Sequence, residues 1–138
     1  MDLNKREDVR KMGIWVGRIR AAIGLAYLLA PDYATSTTYG GSKGSASRRV
    51  MTRFFGAREF TIGLGTAIAC AEGERGSDWL GIGALTDAAD TALVLFQPGL
   101  PLRGRLVAFL TIPAAIGNYF LARKTHEVVE PVRAVESQ

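Results

Sequence analysis

Histidine and cysteine are almost missing from this chain. Its 138 residues include one histidine, His126, and one cysteine, Cys70. A lone thiol closes no intramolecular disulfide, so the redox compartment cannot be read from it. No His/Cys metal cluster, Cys–His dyad or Ser–His–Asp triad can be assembled around a histidine lying in the polar C-terminal segment. No metal, no cofactor and no catalytic residue is expected, and the chain is not expected to be an enzyme. Charge is scarce over long stretches too. Residues 2–11 hold seven of the 30 Asp, Glu, Lys and Arg residues, whereas Ala21–Ala30 holds none. Apolar residues make up 48% of the chain and the mean hydropathy is +0.12, which excludes a disordered or collagenous chain.

What is present is four apolar stretches, at about 13–30, 54–71, 79–96 and 106–122. Each has 17 or 18 residues, near the lower end of the roughly 17–25 needed to cross a hydrocarbon core of about 30 Å. The expected fold is all-α, an integral membrane four-helix bundle over residues 13–122, with a polar N-terminal tail (1–12) and a polar C-terminal tail (123–138). A water-soluble bundle would need a polar face on each helix, and residues 60–71 and 106–122 have none. Pro31 ends the first stretch, and residues 35–47 (TSTTYGGSKGSAS) read as a Gly/Ser/Thr-rich loop. Short turns at Gly73–Asp78 and Gln97–Gly104 predict antiparallel neighbours. No small-x-small cleavage site follows Ala30, so the first stretch is read as a helix of the mature protein.

The sequence has a pI near 9.6, but its basic residues are scattered over tails, loops and helix ends. That pattern suits anionic lipid headgroups and excludes nucleic acid as the expected partner. With both termini cytoplasmic, eight basic residues fall inside and six outside. The expected location is the bacterial inner (plasma) membrane, multi-pass, in that orientation.

Charges inside apolar stretches are the candidate functional residues. Asp87 and Asp90, three apart, share one face of a helix. Ionised carboxylates there need cations, and the candidates are Arg18, Arg20 and Arg58. Glu59 points about 100° away from Arg58 around the helix, so Arg18 or Arg20 would serve it. With three acids facing three arginines, the favoured reading is a structural network clamping the helices. The other reading makes the carboxylates a proton or substrate relay. Small residues at Gly13-x-x-x-Gly17, Gly63-x-x-x-Ala67 and Ala84-x-x-x-Ala88-x-x-x-Ala92 are spaced for close helix packing, within the bundle or, in the other reading, against a partner's helices.

Three segments carry a resemblance: Gly17-Arg18-Ile19-Arg20 leading to Ala30-Pro31, Phe55-Gly56-Ala57-Arg58-Glu59, and Thr86-Asp87-Ala88-Ala89-Asp90-Thr91. Over about residues 13–122 the chain resembles small four-helix actinobacterial membrane proteins that are loosely DoxX-like. More distantly, in size and style, it is similar to small accessory subunits of mycobacterial lipid-import complexes. The resemblance implies a non-catalytic accessory, stabilising or regulatory subunit of a larger cell-envelope complex, in lipid transport, with a permease-type membrane protein as partner. The DoxX-like likeness implies the alternative, a membrane redox or proton-coupled transport protein using the same carboxylates; no cysteine pair is present for thiol chemistry.

Overall fold

A computed structural model describes residues 5–39, 44–100, 102–106 and 108–129. Among these, every regular element is helical: α1 Arg6–Leu29, α2 Pro31–Tyr39, α3 Ala46–Glu72, α4 Gly76–Phe96, α5 Leu102–Arg105 and α6 Ala108–Val128. Two of them, α1 and α4, are long and apolar enough to cross a membrane.

The four long helices form two close pairs, α1 with α3 and α4 with α6, joined by looser contacts between α3 and α4 and between α1 and α6. Small residues explain the first pair. Gly17 and Gly63 face each other so tightly that a β-carbon on Gly17 would stand 2.7 Å from the Gly63 carbonyl oxygen. A β-carbon on Gly24 would lie 2.2 Å from the Phe60 amide nitrogen. Backbone therefore meets backbone along this contact, which only glycine permits. Gly13 lies against Cys70, and Gly17 also against Ala67. Ala84 is buried, but Ala88 is exposed, because Asp87 takes the inward direction on that turn. Ala88 is thus not a packing residue within the fold.

Both ends of the α1/α3 pair are closed by arginine. Arg10 Nη1 donates to the Ala71 carbonyl at 3.0 Å, and Arg53 Nε donates to the Leu28 carbonyl at 3.3 Å. Each satisfies an acceptor that the last helical turn leaves open. The α3–α4 turn is tight. Gly73 adopts a left-handed φ of 75° and donates to the Ala69 carbonyl at 2.9 Å, and Arg75 follows at φ 56°. Below the turn lies the apolar core, made of Val9, Cys70, Leu80, Leu121, Ala122 and Val129.

Boundaries differ from the sequence expectation at both tails, in the loop, and at the starts of the second and third stretches. Helix α3 begins at Ala46 and takes in residues 46–47 of the expected loop, α4 begins at Gly76, and α5 falls in the expected Gln97–Gly104 turn. The N-terminal tail is helical from Arg6, because Val9 enters the core and draws the first turns onto α3. The C-terminal tail likewise begins too early at 123: α6 continues to Val128, with Thr125 and Val129 buried. Residues 35–39 of the expected loop belong to α2, which Pro31 opens from a position where its missing N–H is harmless. Residues 40–43 of that loop, and the last nine residues of the tail, lie outside the described residues.

Candidate functional site: a charged row between the helix pairs

Where the two helix pairs meet, five ionisable side chains form one row. The order is Asp87, Arg20, Glu59, Arg58, Asp90, drawn from α1, α3 and α4. Arg20 grips Asp87 with a fork: Nη2 donates to Oδ1 at 2.7 Å and Nη1 to Oδ2 at 3.0 Å. Its Nη2 also reaches Glu59 Oε1 and Thr86 Oγ1, each at 3.1 Å. Arg20 Nε lies 2.7 Å from Glu59 Oε2 but off the N–H direction, so that contact is ionic and not a directed hydrogen bond. Arg58 makes the second fork, with Nη1 and Nη2 both donating to Asp90. It also donates to Glu59 Oε1 from Nε at 3.3 Å and Nη2 at 3.2 Å, and its guanidinium sits 5.0 Å above the Phe55 ring.

Burial divides the row into a closed part and a more open one. The side chains of Arg20, Glu59 and Asp87 are 8–10% exposed, Asp90 is 18% and Arg58 37%. The row is closed over Asp87, Arg20 and Glu59 and opens at Arg58, beside Asp90, on the seam between α3 and α4. Fork-to-fork pairing is the geometry that guanidinium and carboxylate favour, and removing one partner of such a buried pair leaves an uncompensated charge.

Arg18 is the correction to the expected network. It is exposed on α1, because residues two apart on a helix point about 200° away from each other, so Arg18 and Arg20 cannot both face inward. Arg20 therefore serves both Glu59 and Asp87, and the expected balance of three acids and three arginines becomes three acids and two.

Asn118 of α6 is the member that sequence reasoning missed. Its Nδ2 donates to Asp87 Oδ2 at 3.0 Å, tying α6 into the row. The signal was available: Asn118 is the one amide side chain in the otherwise uncharged stretch 106–122. Three buried threonines are satisfied locally, Thr66, Thr91 and Thr125 each donating to the carbonyl four residues earlier. Asn118→Leu keeps the volume and deletes one donor to a buried carboxylate. We expect it to lower the stability of the purified protein by about 1–2 kcal/mol, read from its thermal unfolding midpoint; an unchanged midpoint would show that Asp87 does not depend on α6.

Among the described residues no group of His, Cys, Asp and Glu has the arrangement of a metal site. A surface depression of about 270 Å³ at the end bearing the α3–α4 turn is lined by Arg6, Glu7, Arg10, Ala71, Glu72 and Gly73, a mixture of both signs. Compared with protein families, with characterised proteins and with solved structures, the chain matches none.

Proposed function

We propose that this chain is a multi-pass integral membrane protein of the bacterial inner membrane, crossing it with α1, α3, α4 and α6. In this reading it is a non-catalytic accessory subunit of a larger cell-envelope complex. One observation carries the membrane reading: polarity is inverted relative to a protein folded in water. Buried positions include Arg20, Glu59, Asp87 and Asn118, while large apolar side chains are exposed on all four long helices. Trp15 and Leu29 on α1, Met51 and Phe54 on α3, Leu85 and Phe96 on α4, and Phe109 and Leu110 on α6 all point outward. Apolar exposure on this scale would drive aggregation in water and is the normal outer face in lipid.

Topology supports placing the start of α1 and the end of α6 on one side. Arg10, near the start of α1, meets the end of α3, and Gly76, at the start of α4, lies against Thr125 near the end of α6. The positive-inside count favours the cytoplasm for that side. The accessory role rests on how the polar interior is used: each charged group of the row is held by another member of it, so the network serves to fix helix positions. The exposed apolar faces then remain for lipid and for the helices of a permease-type partner, with anionic headgroups at the basic ends and lipid transport as the context.

The test begins with alkaline carbonate washing of membranes from the native host, in which the protein should stay in the pellet. A tagged copy at the native locus, extracted in mild detergent, should then bring down a permease or its ATPase in stoichiometric amount. Recovery of the protein alone as a monodisperse small oligomer would overturn the accessory-subunit reading.

A further inference from the structure

Charge is divided unevenly between the two ends of the bundle. At the end holding the start of α1 and the end of α6, the described residues carry seven basic and six acidic side chains. Many of these pair, with Lys11–Glu7, Arg75–Asp78 and Lys124–Glu127 at 3.0–3.3 Å. The opposite end is made by α2, α5 and the start of α3. Its described residues carry five arginines, Arg48, Arg49, Arg53, Arg103 and Arg105, against a single acid, Asp32. Asp32 stands 3.8 Å from Arg49, so it offsets one positive charge and leaves the surplus in place.

Helix α3 brings three of these arginines together past the end of α1. A β-carbon on Gly56 would lie 2.9 Å from the Leu28 amide nitrogen, so the turns before Gly56 project beyond the last turn of α1. Residues 46–55 cover about 15 Å, and the 27 residues of α3 cover about 40 Å, more than a hydrocarbon core of about 30 Å. In a membrane these first turns stand at the level of the headgroups. Arg48 and Arg49, neighbours in sequence, converge on Gly44: a β-carbon there would stand 2.7 Å from Arg48 Cδ, and Arg49 Nη1 donates to the Gly44 carbonyl at 2.8 Å. Ser45 already closes the helix end by accepting from the Arg48 amide at 3.2 Å, so what is open here is side-chain charge and not the helix terminus. Apolar side chains stand among the arginines. Val50, Met51 and Phe54 on α3 and Tyr33 on α2 are 47–73% exposed. The hydroxyls of Thr35 and Thr52, 3.0 Å apart, tie α2 beside them.

We propose that Arg48, Arg49 and Arg53 form a binding site for the phosphate headgroup of an anionic phospholipid, on the side of α2 and α5. The inference rests on the membrane reading above and narrows a general affinity for anionic headgroups to one end and three residues. Charge complementarity names the headgroup: a guanidinium presents two parallel donors to phosphate, and a bound anion offsets the surplus. The neighbouring apolar side chains select a phospholipid over a soluble phosphate, because Met51 and Phe54 lie on the same turns and can cover its acyl chains.

The test titrates the full chain, purified in a neutral detergent, with phosphatidylglycerol or with phosphatidylcholine of the same acyl chains, and counts bound lipid by native mass spectrometry. Phosphatidylglycerol should bind about tenfold more tightly, and an excess of inorganic phosphate should not displace it. Arg48→Gln combined with Arg49→Gln should weaken that binding about tenfold, the loss expected from charge-assisted contacts. Arg49 also holds Gly44, so Arg48→Gln alone, at an exposed position, is the variant that keeps the fold, and it should weaken binding about threefold. Arg123→Gln combined with Lys124→Gln, at the opposite end, should bind as the wild type does. Equal binding of the two lipids overturns the proposal, as does unchanged binding in the Arg48 variants. Displacement by inorganic phosphate overturns it too, since the site would then take a soluble anion. The carbonate wash separates this from the membrane reading: a protein released by carbonate fails that reading, whereas a membrane-retained protein without the lipid preference fails the headgroup proposal alone.

Discussion

A single methyl group added at Gly63 is expected to force α1 and α3 apart and to lower the unfolding midpoint of the detergent-solubilised protein by about 5–10 °C. The new β-carbon would stand 2.3 Å from the Ala21 amide nitrogen and 2.7 Å from the Gly17 carbonyl oxygen. Both obstacles are backbone, so no side chain can rotate away and one whole helix must move. Movement there separates Arg20 from Glu59 as well, because the same two helices carry them. Overpacking alone costs about 1–3 kcal/mol, and loosening the row adds to it. Gly81→Ala and Gly117→Ala are the controls, since nothing lies within 4 Å of a β-carbon at either position. Equal midpoints for Gly63→Ala and the two controls would mean that α1 and α3 are not in backbone contact.

Arg20→Gln should do still more damage. Arg20 is the only residue of α1 in the described row, and it holds Glu59 and Asp87 at once. Its loss leaves Asp87 with Asn118 and no cation, and the row with one arginine against three acids. Breaking a buried pair by removing one partner costs about 3–5 kcal/mol, enough to bring a protein of ordinary stability close to unfolding. The expected result is loss of detectable protein from the membrane fraction. Arg20→Lys should recover only part of it, because an ammonium cannot present a fork to Asp87 while also reaching Glu59. Arg18→Gln, two residues away and exposed, should accumulate normally. If Arg20→Gln and Arg18→Gln accumulate equally, the row does not hold the helices together.

These two variants mark where sequence reasoning stops. The apolar stretches were legible because their lengths and the near absence of charge are properties of the chain itself. Gly13, Gly17, Gly63 and Ala67 were legible as close-packing positions, and the structure places all four between α1 and α3. Arg18 and Arg20 were not separable by composition, since either could have turned inward. The difference came from the glycine face: Gly13, Gly17, Arg20 and Gly24 are all buried on one side of α1, and Arg18 is off it. The helical starts of the two tails were missed because single buried residues, Val9 and Val129, decide them, and no periodic pattern announces a single residue.

Residue order alone was enough to establish a helical chain with apolar stretches of near membrane length, with a set of acids and arginines inside them and a single histidine and a single cysteine. Only tertiary structure decided which arginines those acids meet, that Asn118 joins them, and that the charges in the row do not cancel. The physical reason is that hydropathy and helical period are local and additive along a chain. The sign balance of a buried cluster depends on the rotation of three helices about their axes, which backbone contacts at glycine set from a distance.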